Sequence, residues 1–238
     1  MSVSSVDVIR WGPERARIGP WRGDRQVAFL APLPDAPVPS PDFVRRCLSI
    51  LANRGVTRVI TAALSPREQR GFLAAGFAIE EELHLLSHDL RHLEPIPPSP
   101  RLVRAGARSR PAMLEVDGEA FSPFWQFDEQ GMDEARHATA RSRVRAALSA
   151  ERRVIGYAIC GRSVHRGFVQ RLAVRPTEQR QGVGTALLLD GLHWMSRRGV
   201  RRAVVNTQLE NHPALALYQR LGFRREPIGL SVLSAGLT

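Results

Sequence analysis

The spacing of apolar residues changes period several times along the second half of the chain, and each change marks an element. Short runs at 154–159 and 168–174, rich in β-branched and aromatic residues, predict two core strands. From 182 to 198 the spacing becomes helical. Val183, Leu187, Gly191 and Met195 step by four, with Leu188 and Leu192 widening the apolar face of a central helix. That helix ends at Arg197-Arg198-Gly199, where cations suit the negative helix terminus and glycine suits the cap. Around this centre, 101–105 predicts a first strand and 111–121 a short helix with Met113, Val116 and Ala120 on one side. Further helices are predicted at 132–138 and 213–221, and further strands at 202–207 and 228–233. Phe121, Phe124, Trp125 and Phe127 form an aromatic loop between the first two helices. Strands and helices mixed in this way give an α+β fold class, an α/β mixed sheet.

The first half echoes the second. Arg54-Gly55-Val56 parallels Arg198-Gly199-Val200, and about twenty residues later Ala75-Gly76-Phe77 parallels Leu221-Gly222-Phe223. The runs 83–87 and 230–234 then correspond. This predicts a tandem arrangement whose first copy is degenerate. The proline-rich stretch 94–100 reads as a linker, because prolines remove backbone donors and favour extended chain. A second proline cluster, 32–41, reads as a long loop. The expected organisation is an N-terminal lobe over 1–93, a linker over 94–100 and a C-terminal domain over 101–238.

The predicted strand at 168–174 runs through a glycine-bearing turn straight into the central helix. Such a junction aims several unpaired N–H groups at one point, where the helix dipole also favours negative charge. A pyrophosphate fits there, and the bare backbone at Gly182 and Gly184 permits close approach. A Walker loop would need Lys-Ser/Thr after its last glycine, and here Gly184 is followed by Thr185-Ala186. A dinucleotide fingerprint would need three glycines early in a βαβ unit, and it fits poorly.

The run Gln179-Arg180-Gln181-Gly182-Val183-Gly184 resembles the Gln/Arg-x-x-Gly-x-Gly/Ala signature of the GCN5-related N-acetyltransferase (GNAT) superfamily. Some thirty residues on, 211–223 is similar to the superfamily's second block, Asn-x-x-Ala-x-x-Leu-Tyr-x-x-x-Gly-Phe, through Asn211, Ala214, Leu217, Tyr218, Gly222 and Phe223. The resemblance implies a GNAT-like acyl-CoA N-acyltransferase fold and an acetyl-CoA-dependent N-acetyltransferase acting on a primary amine, either a protein N-terminus or a small molecule. Attack on the thioester would be direct. A non-catalytic acyl-CoA-binding regulatory protein on the same fold is the alternative. By the same resemblance, Leu172, Ala173 and Val174 meet the pantetheine arm where the strand splays from its neighbour, and the Val174 N–H is the oxyanion donor. Backbone amides of Arg180, Gln181, Gly182, Val183, Gly184 and Thr185 hold the pyrophosphate, with the Arg180 side chain as an addition, and Gln179 belongs to the same cofactor site. Nothing before Arg54 offers such a turn, so the first copy is expected to bind no cofactor.

Asn211 either contacts the cofactor arm or caps the following helix, and both roles are compatible. Tyr218 aligns with the phenol placed near the thioester sulfur, as general acid; the other reading is packing beside Leu217 and Phe223. The general base is not identified. Asn206 stands where the ribosomal-protein N-terminal acetyltransferases carry glutamate, and Gln170 and Arg171 stand where other branches carry a carboxylate. Water, Glu119, Asp128 or His165 remain as routes. The aromatic loop forms either an apolar substrate wall, with Asp128 and Glu129 attracting a cation, or packing surface.

Composition changes this picture little. The formal net charge is +11 and all 34 basic residues are arginine, a skew that points to biased coding DNA more than to a nucleic-acid face. The positive field suits an anionic donor such as acetyl-CoA. Cys47 and Cys160 lie far apart among apolar neighbours, outside any metal-ligand spacing, so no metal is expected. No apolar signal core and no window near the roughly 18 apolar residues of a membrane span are found, which predicts a cytoplasmic protein without membrane partners. Oligomeric state is not encoded in any of these patterns.

Overall fold

A computed structural model describes residues 6–33 and 35–237. The chain divides into two compact units, one of residues 1–85, 208–210 and 226–238, the other of residues 86–207 and 211–225.

In the N-terminal unit, β1 (Asp7–Trp11), β2 (Glu14–Trp21) and β3 (Asp24–Pro32) form an antiparallel meander. Helix α1 (Pro41–Ala52) crosses over to β4 (Arg58–Thr61), which lies parallel to β3. Helix α2 (Pro66–Ala74) then leads into β5 (Ala78–His88), whose last three residues belong to the other unit. The final strand of the chain, β12 (Leu230–Gly236), completes this unit by pairing antiparallel with both β4 and β5. One apolar cluster holds it together, with Ile18, Phe43, Leu51, Val59, Phe72 and Leu233 at its centre.

The C-terminal unit repeats the plan. Strands β6 (Arg101–Arg104), β7 (Arg141–Leu148), β8 (Val154–Arg162) and β9 (Arg166–Val174) pair antiparallel in sequence. Between β6 and β7 run α3 (Arg110–Ala120) and α4 (Glu129–His137). Helix α5 (Val183–Ser196) crosses over to β10 (Arg202–Gln208), parallel to β9, and α6 (His212–Arg220) leads to the two-residue β11 (Arg224–Arg225). Strand β11 pairs with Ser87 and Leu86. Apolar clusters lie on both faces of this sheet, one with Leu188, Leu192 and Met195 of α5, the other with Met113, Val116 and Met132 of α3 and α4. Parallel and antiparallel pairs coexist in each unit, which is the expected mixed α+β sheet.

The echo in sequence is an echo in hydrogen bonding. Gly55 (φ +81°) and Gly199 (φ +77°) turn the chain out of α1 and α5, and in each case the next residue closes the helix, Val56 N to Leu51 O at 3.1 Å and Val200 N to Met195 O at 3.2 Å. Phe77 N to Phe72 O (3.1 Å) and Phe223 N to Tyr218 O (3.0 Å) do the same after α2 and α6. Equivalent left-handed glycines thus end equivalent helices.

Three features depart from the sequence reading. Strand β7 was absent from it, since its alternation of arginines with Val144, Ala146 and Leu148 carries a weak apolar signal. The stretch 94–100, read as a linker, is tied into the C-terminal unit: Ile96 packs on the α5 cluster and His193 Nε2 donates to the Glu94 carbonyl at 2.7 Å. The closing strand, placed by the 101–238 boundary with the C-terminal domain, falls in the N-terminal unit, because its backbone partners are β4 and β5.

Candidate active site

Strand β9 pairs with β10 only from Arg166 to Phe168, opposite Arg202 to Val204. Beyond that point the two strands no longer pair, while β9 stays paired with β8 as far as Val174. Main-chain groups of an antiparallel strand alternate between its two sides. Arg175 N donates to Ile155 O (2.9 Å), so Arg175 and Ala173 face β8, and the N–H groups of Val174 and Leu172 face the side that β10 has left. Ala173, expected beside Val174 on the cofactor, therefore turns its peptide groups away from the open side. Its own small side chain is buried among Tyr157, Met113 and Val116.

The chain leaves β9 at Val174 and enters α5 at Val183 through a short turn. Gln179 Nε2 donates to the Val174 carbonyl (3.3 Å) and Gln181 Nε2 to the Thr177 carbonyl (3.1 Å), so both side chains brace the turn. Arg180 (φ +60°) and Gly182 (φ +84°) adopt the left-handed backbone, and Gly182 has open space where a Cβ would stand. The first intrahelical bond runs from Ala186 N to Gly182 O (2.9 Å), which leaves the N–H groups of Val183, Gly184 and Thr185 without helical partners. The Val183 side chain is buried in a core cluster with Leu187, so only its backbone is offered. Space at Gly184 is tight, because a Cβ there would come within 3.1 Å of the Leu217 side chain on α6, which would have to give way. Thr185 Oγ1 accepts from Arg220 (2.6 Å), a residue that the sequence reading did not single out.

Helix α6 brings the second block to the same unit. Asn211 caps it, accepting from Ala214 N at 3.2 Å. Tyr218 is buried against Phe223, ring centroids 5.6 Å apart. Burial pushes its phenol well above the ordinary tyrosine value, so it carries its proton throughout the physiological range. Burial also pushes the Cys47 and Cys160 thiols up to about 12, which leaves neither as a ready nucleophile. Among the described residues no three His, Cys, Asp or Glu side chains gather as metal ligands.

The positions where a base was sought behave differently from one another. Asn206 is exposed on β10. Arg171, in the middle of β9, is bound bidentately by the fully buried Asp117 of α3, at 2.7 and 2.6 Å. Tyr157 of β8 donates to the same carboxylate, and Asp117 also accepts from Phe127 N (2.6 Å). The Arg171 guanidinium further donates to the Trp125 carbonyl (2.7 Å) and lies 3.4 Å from the Phe121 ring centroid and 4.0 Å from that of Phe127. Two of the four loop aromatics thus cover this ion pair, and Phe124 packs edge-on against Trp125 at 4.9 Å. Asp128 accepts from Gly131 N (2.7 Å) as the cap of α4. His165 sits at the β8–β9 hairpin tip, the end of β9 remote from Val174. Of the three side chains considered, Glu119 alone reaches the Val174 end, where it pairs with Arg175.

Residues 110–223 match the Acetyltransferase (GNAT) family. Among curated proteins, N-alpha-acetyltransferase 30 of Schizosaccharomyces pombe is 37% identical over 78 residues, 31% of this chain and 52% of that protein. A mycothiol acetyltransferase of Saccharomonospora viridis is 30% identical over 177 residues, covering 63% of this chain and 56% of that protein. The chain spans little more than half the length of these relatives. A solved tandem GNAT protein from the clavulanic acid biosynthesis pathway superimposes with TM-score 0.72 at 15% identity, covering 98% of this chain and 83% of that one. A GCN5-related N-acetyltransferase from Kribbella flavida gives TM-score 0.65 over 98% of this chain and 91% of that one, at 15% identity. The splayed strand, the glycine turn and the capped α6 thus belong to a tandem GNAT fold, and residues 110–223 of this chain are an acetyltransferase domain of the GNAT family.

Proposed function

We propose that the C-terminal unit transfers an acetyl group from acetyl-CoA to a primary amine. The observation that carries this reading is the pairing of two open backbone surfaces at one junction. The Val174 side of β9 lacks a strand partner, and the N-terminus of α5 a few residues later presents three N–H groups without helical partners. A thioester laid along the first and a pyrophosphate against the second would share one extended ligand, and acetyl-CoA has that form.

In this reading acetyl-CoA supplies the acetyl group as co-substrate, and the chain's own groups orient it. The Val174 N–H faces the place where negative charge develops on the carbonyl oxygen. Gln181, Gly182, Val183, Gly184 and Thr185 offer backbone donors to the pyrophosphate, with the Arg180 and Arg220 guanidiniums nearby in the turn and on α6. Leu172 lines the open side of the strand, and Gln179 fixes the turn through the Val174 carbonyl. Asn211 is held as a helix cap, which sets the start of α6. Tyr218, protonated and buried, holds a proton for the departing thiolate. An α-amino group, with a pKa near 8, is partly neutral at pH 7 and needs little help from a base. The chain would act in the cytoplasm; no helix among the described residues is long and apolar enough to cross a membrane.

A second reading is supported by Asn206, Gln170 and Arg171, which put no carboxylate where relatives carry a base. The protein would then bind acyl-CoA without turnover. An acetyl-CoA titration followed by CoA release with peptide and small-molecule amines separates the two. Release with at least one amine is expected; tight binding with no release across the panel would support the non-catalytic protein.

A further inference from the structure

At the opposite end of α5 from the glycine turn lies a cleft of about 400 Å³ whose walls are dominated by arginine. Trp194 lies about 16 Å along the helix from Val183, at 1.5 Å per residue, so this is a second location and not an extension of the first. Arg104 of β6, Arg136 of α4, Arg143 and Arg145 of β7 and Arg198 just past α5 all line it, together with Trp194. Arg104 and Arg145 stand opposite each other in the β6–β7 register, so their side chains leave the sheet on one face. Strand β6 ends there, and after the bond from Ala105 N to Val144 O (3.2 Å) the start of β7 is paired only on its β8 side.

The charges in this cleft do not balance. Asp190, almost fully buried, is shared by two guanidiniums: Arg143 binds it at 2.7 and 2.9 Å, and Arg145 reaches it only through Nε, at 3.3 and 3.4 Å. The terminal nitrogens of Arg145 have no hydrogen-bond partner among the described residues. Arg136 contacts Asp133 at 3.5 Å, but that carboxylate is already held by Arg110 at 2.7 Å. The side chains of Arg104 and Arg198 make no ion pair or hydrogen bond among the described residues. Five guanidiniums therefore face one pocket against two carboxylates: Asp190, which two of the five share, and Asp133, which Arg110 from outside the pocket already holds. Clustered like charge is unfavourable unless an anion enters, and guanidiniums match phosphate oxygens in fork geometry.

We propose that this cleft binds a small phosphorylated ligand carrying at least two phosphate charges. Its volume falls in the range of small-molecule pockets, which favours a compact anion over an extended nucleic acid. The Trp194 wall offers a surface on which a planar ring can lie, as in a nucleoside diphosphate. Inorganic pyrophosphate and ADP share the diphosphate and differ in the ring, so together they identify the source.

The test is calorimetric titration, with pyrophosphate and with ADP at low ionic strength, of the full chain carrying Gly182→Glu, which blocks the glycine turn without adding a second diphosphate that could occupy the cleft. The variants are Arg104→Glu with Arg198→Glu, both exposed and unpartnered, and a charge-matched control, Arg25→Glu with Arg70→Glu, on the N-terminal unit. Saturable binding is expected, weakened about tenfold or more by the cleft pair, weakened further by salt, and spared by the control pair. ADP binding more tightly than pyrophosphate, with Trp194→Ala removing the difference, would assign the ring to Trp194; equal affinities would limit the site to the diphosphate. Absence of binding at millimolar pyrophosphate, or equal losses in cleft and control variants, would overturn the proposal. Preference for an acidic peptide or for RNA over both small anions would also overturn it. Loss of acetyl-CoA binding does not bear on this cleft, and a Gly182→Glu variant that loses CoA is expected to retain the diphosphate.

Discussion

Tyr218 and Gly182 carry the two claims that single side chains can test. Replacing Tyr218 by Phe keeps the packing against Phe223 and removes the proton, so turnover is expected to fall by about 10²–10⁴-fold while the acetyl-CoA dissociation constant stays put. Equal turnover in a stopped assay of CoA release would remove the tyrosine from the chemistry. Gly182→Glu puts a charged side chain at a left-handed residue facing open space, where the donor's phosphates are proposed to sit. Acetyl-CoA binding should be lost by calorimetry. At this scale the sequence was informative where residues are close together along the chain. Gly182, Gly184, Asn211 and Tyr218 are recognisable because their spacing is fixed by one turn or one helix. Arg171 and Asp117 are 54 positions apart, and nothing in local spacing joins them. The signals that existed were an arginine in the middle of an apolar strand and an aspartate among Met113, Val116 and Ala120 on α3. Ala173 shows a finer limit, because which side of a strand its peptide groups face depends on register with β8.

Between the elements, the buried Asp117–Arg171 pair fastens α3 and the loop at 121–127 to the centre of β9. Removing one partner strands the other charge in the core, so Asp117→Ala is expected to cost about 3–5 kcal/mol in urea unfolding. The double replacement Asp117→Leu with Arg171→Met should recover most of that loss. It would still leave Trp125 and Phe127 without their anchors, so the amine KM is expected to rise more than kcat falls. A double variant with unchanged KM would show that the loop does not select the acceptor. The elements themselves were legible where apolar period was strong, as in α5 and β9. Strand β7 was not, because arginines at 141, 143 and 145 give a sheet edge the look of a polar connector. Their hydrocarbon stems, and the ion pairs of Arg143 and Arg145 with Asp190, supply what the one-dimensional pattern lacks.

For the whole molecule, the two units share a plan and differ at the helix that follows the antiparallel strands. In the C-terminal unit α5 begins at an open glycine turn; in the N-terminal unit α1 begins at Pro41, and the N–H and hydroxyl of Ser40 both donate to the Glu14 carboxylate, at 2.5 and 2.9 Å. The chain's own anion thus stands at the start of α1, which supports a first copy without a pyrophosphate site. The repeat was legible through its Gly-Val and Gly-Phe helix endings, since left-handed glycines leave a sharp mark. The exchange of β12 was not, because a strand's alternation does not name its partner. Truncation after Glu226 should therefore lower protection of amides in β4 and β5 in hydrogen exchange, although the deleted residues follow the acetyltransferase domain. Unchanged protection there would contradict the assignment of β12 to that unit. Stability should also fall on mild acidification. Burial holds the His88 pKa below its ordinary value, and its Nδ1 accepts from Leu90 N (2.7 Å), so the folded chain resists the proton that the unfolded chain takes up near pH 6.5. Unfolding free energy is expected to decline as pH drops below about 6.5, and His88→Gln should flatten that decline. The most direct measurement of the central claim is amide hydrogen exchange with and without saturating acetyl-CoA. New protection at Leu172, Val174 and 181–185, abolished by Gly182→Glu, is the result expected; protection confined to other segments, or none at saturation, would contradict it.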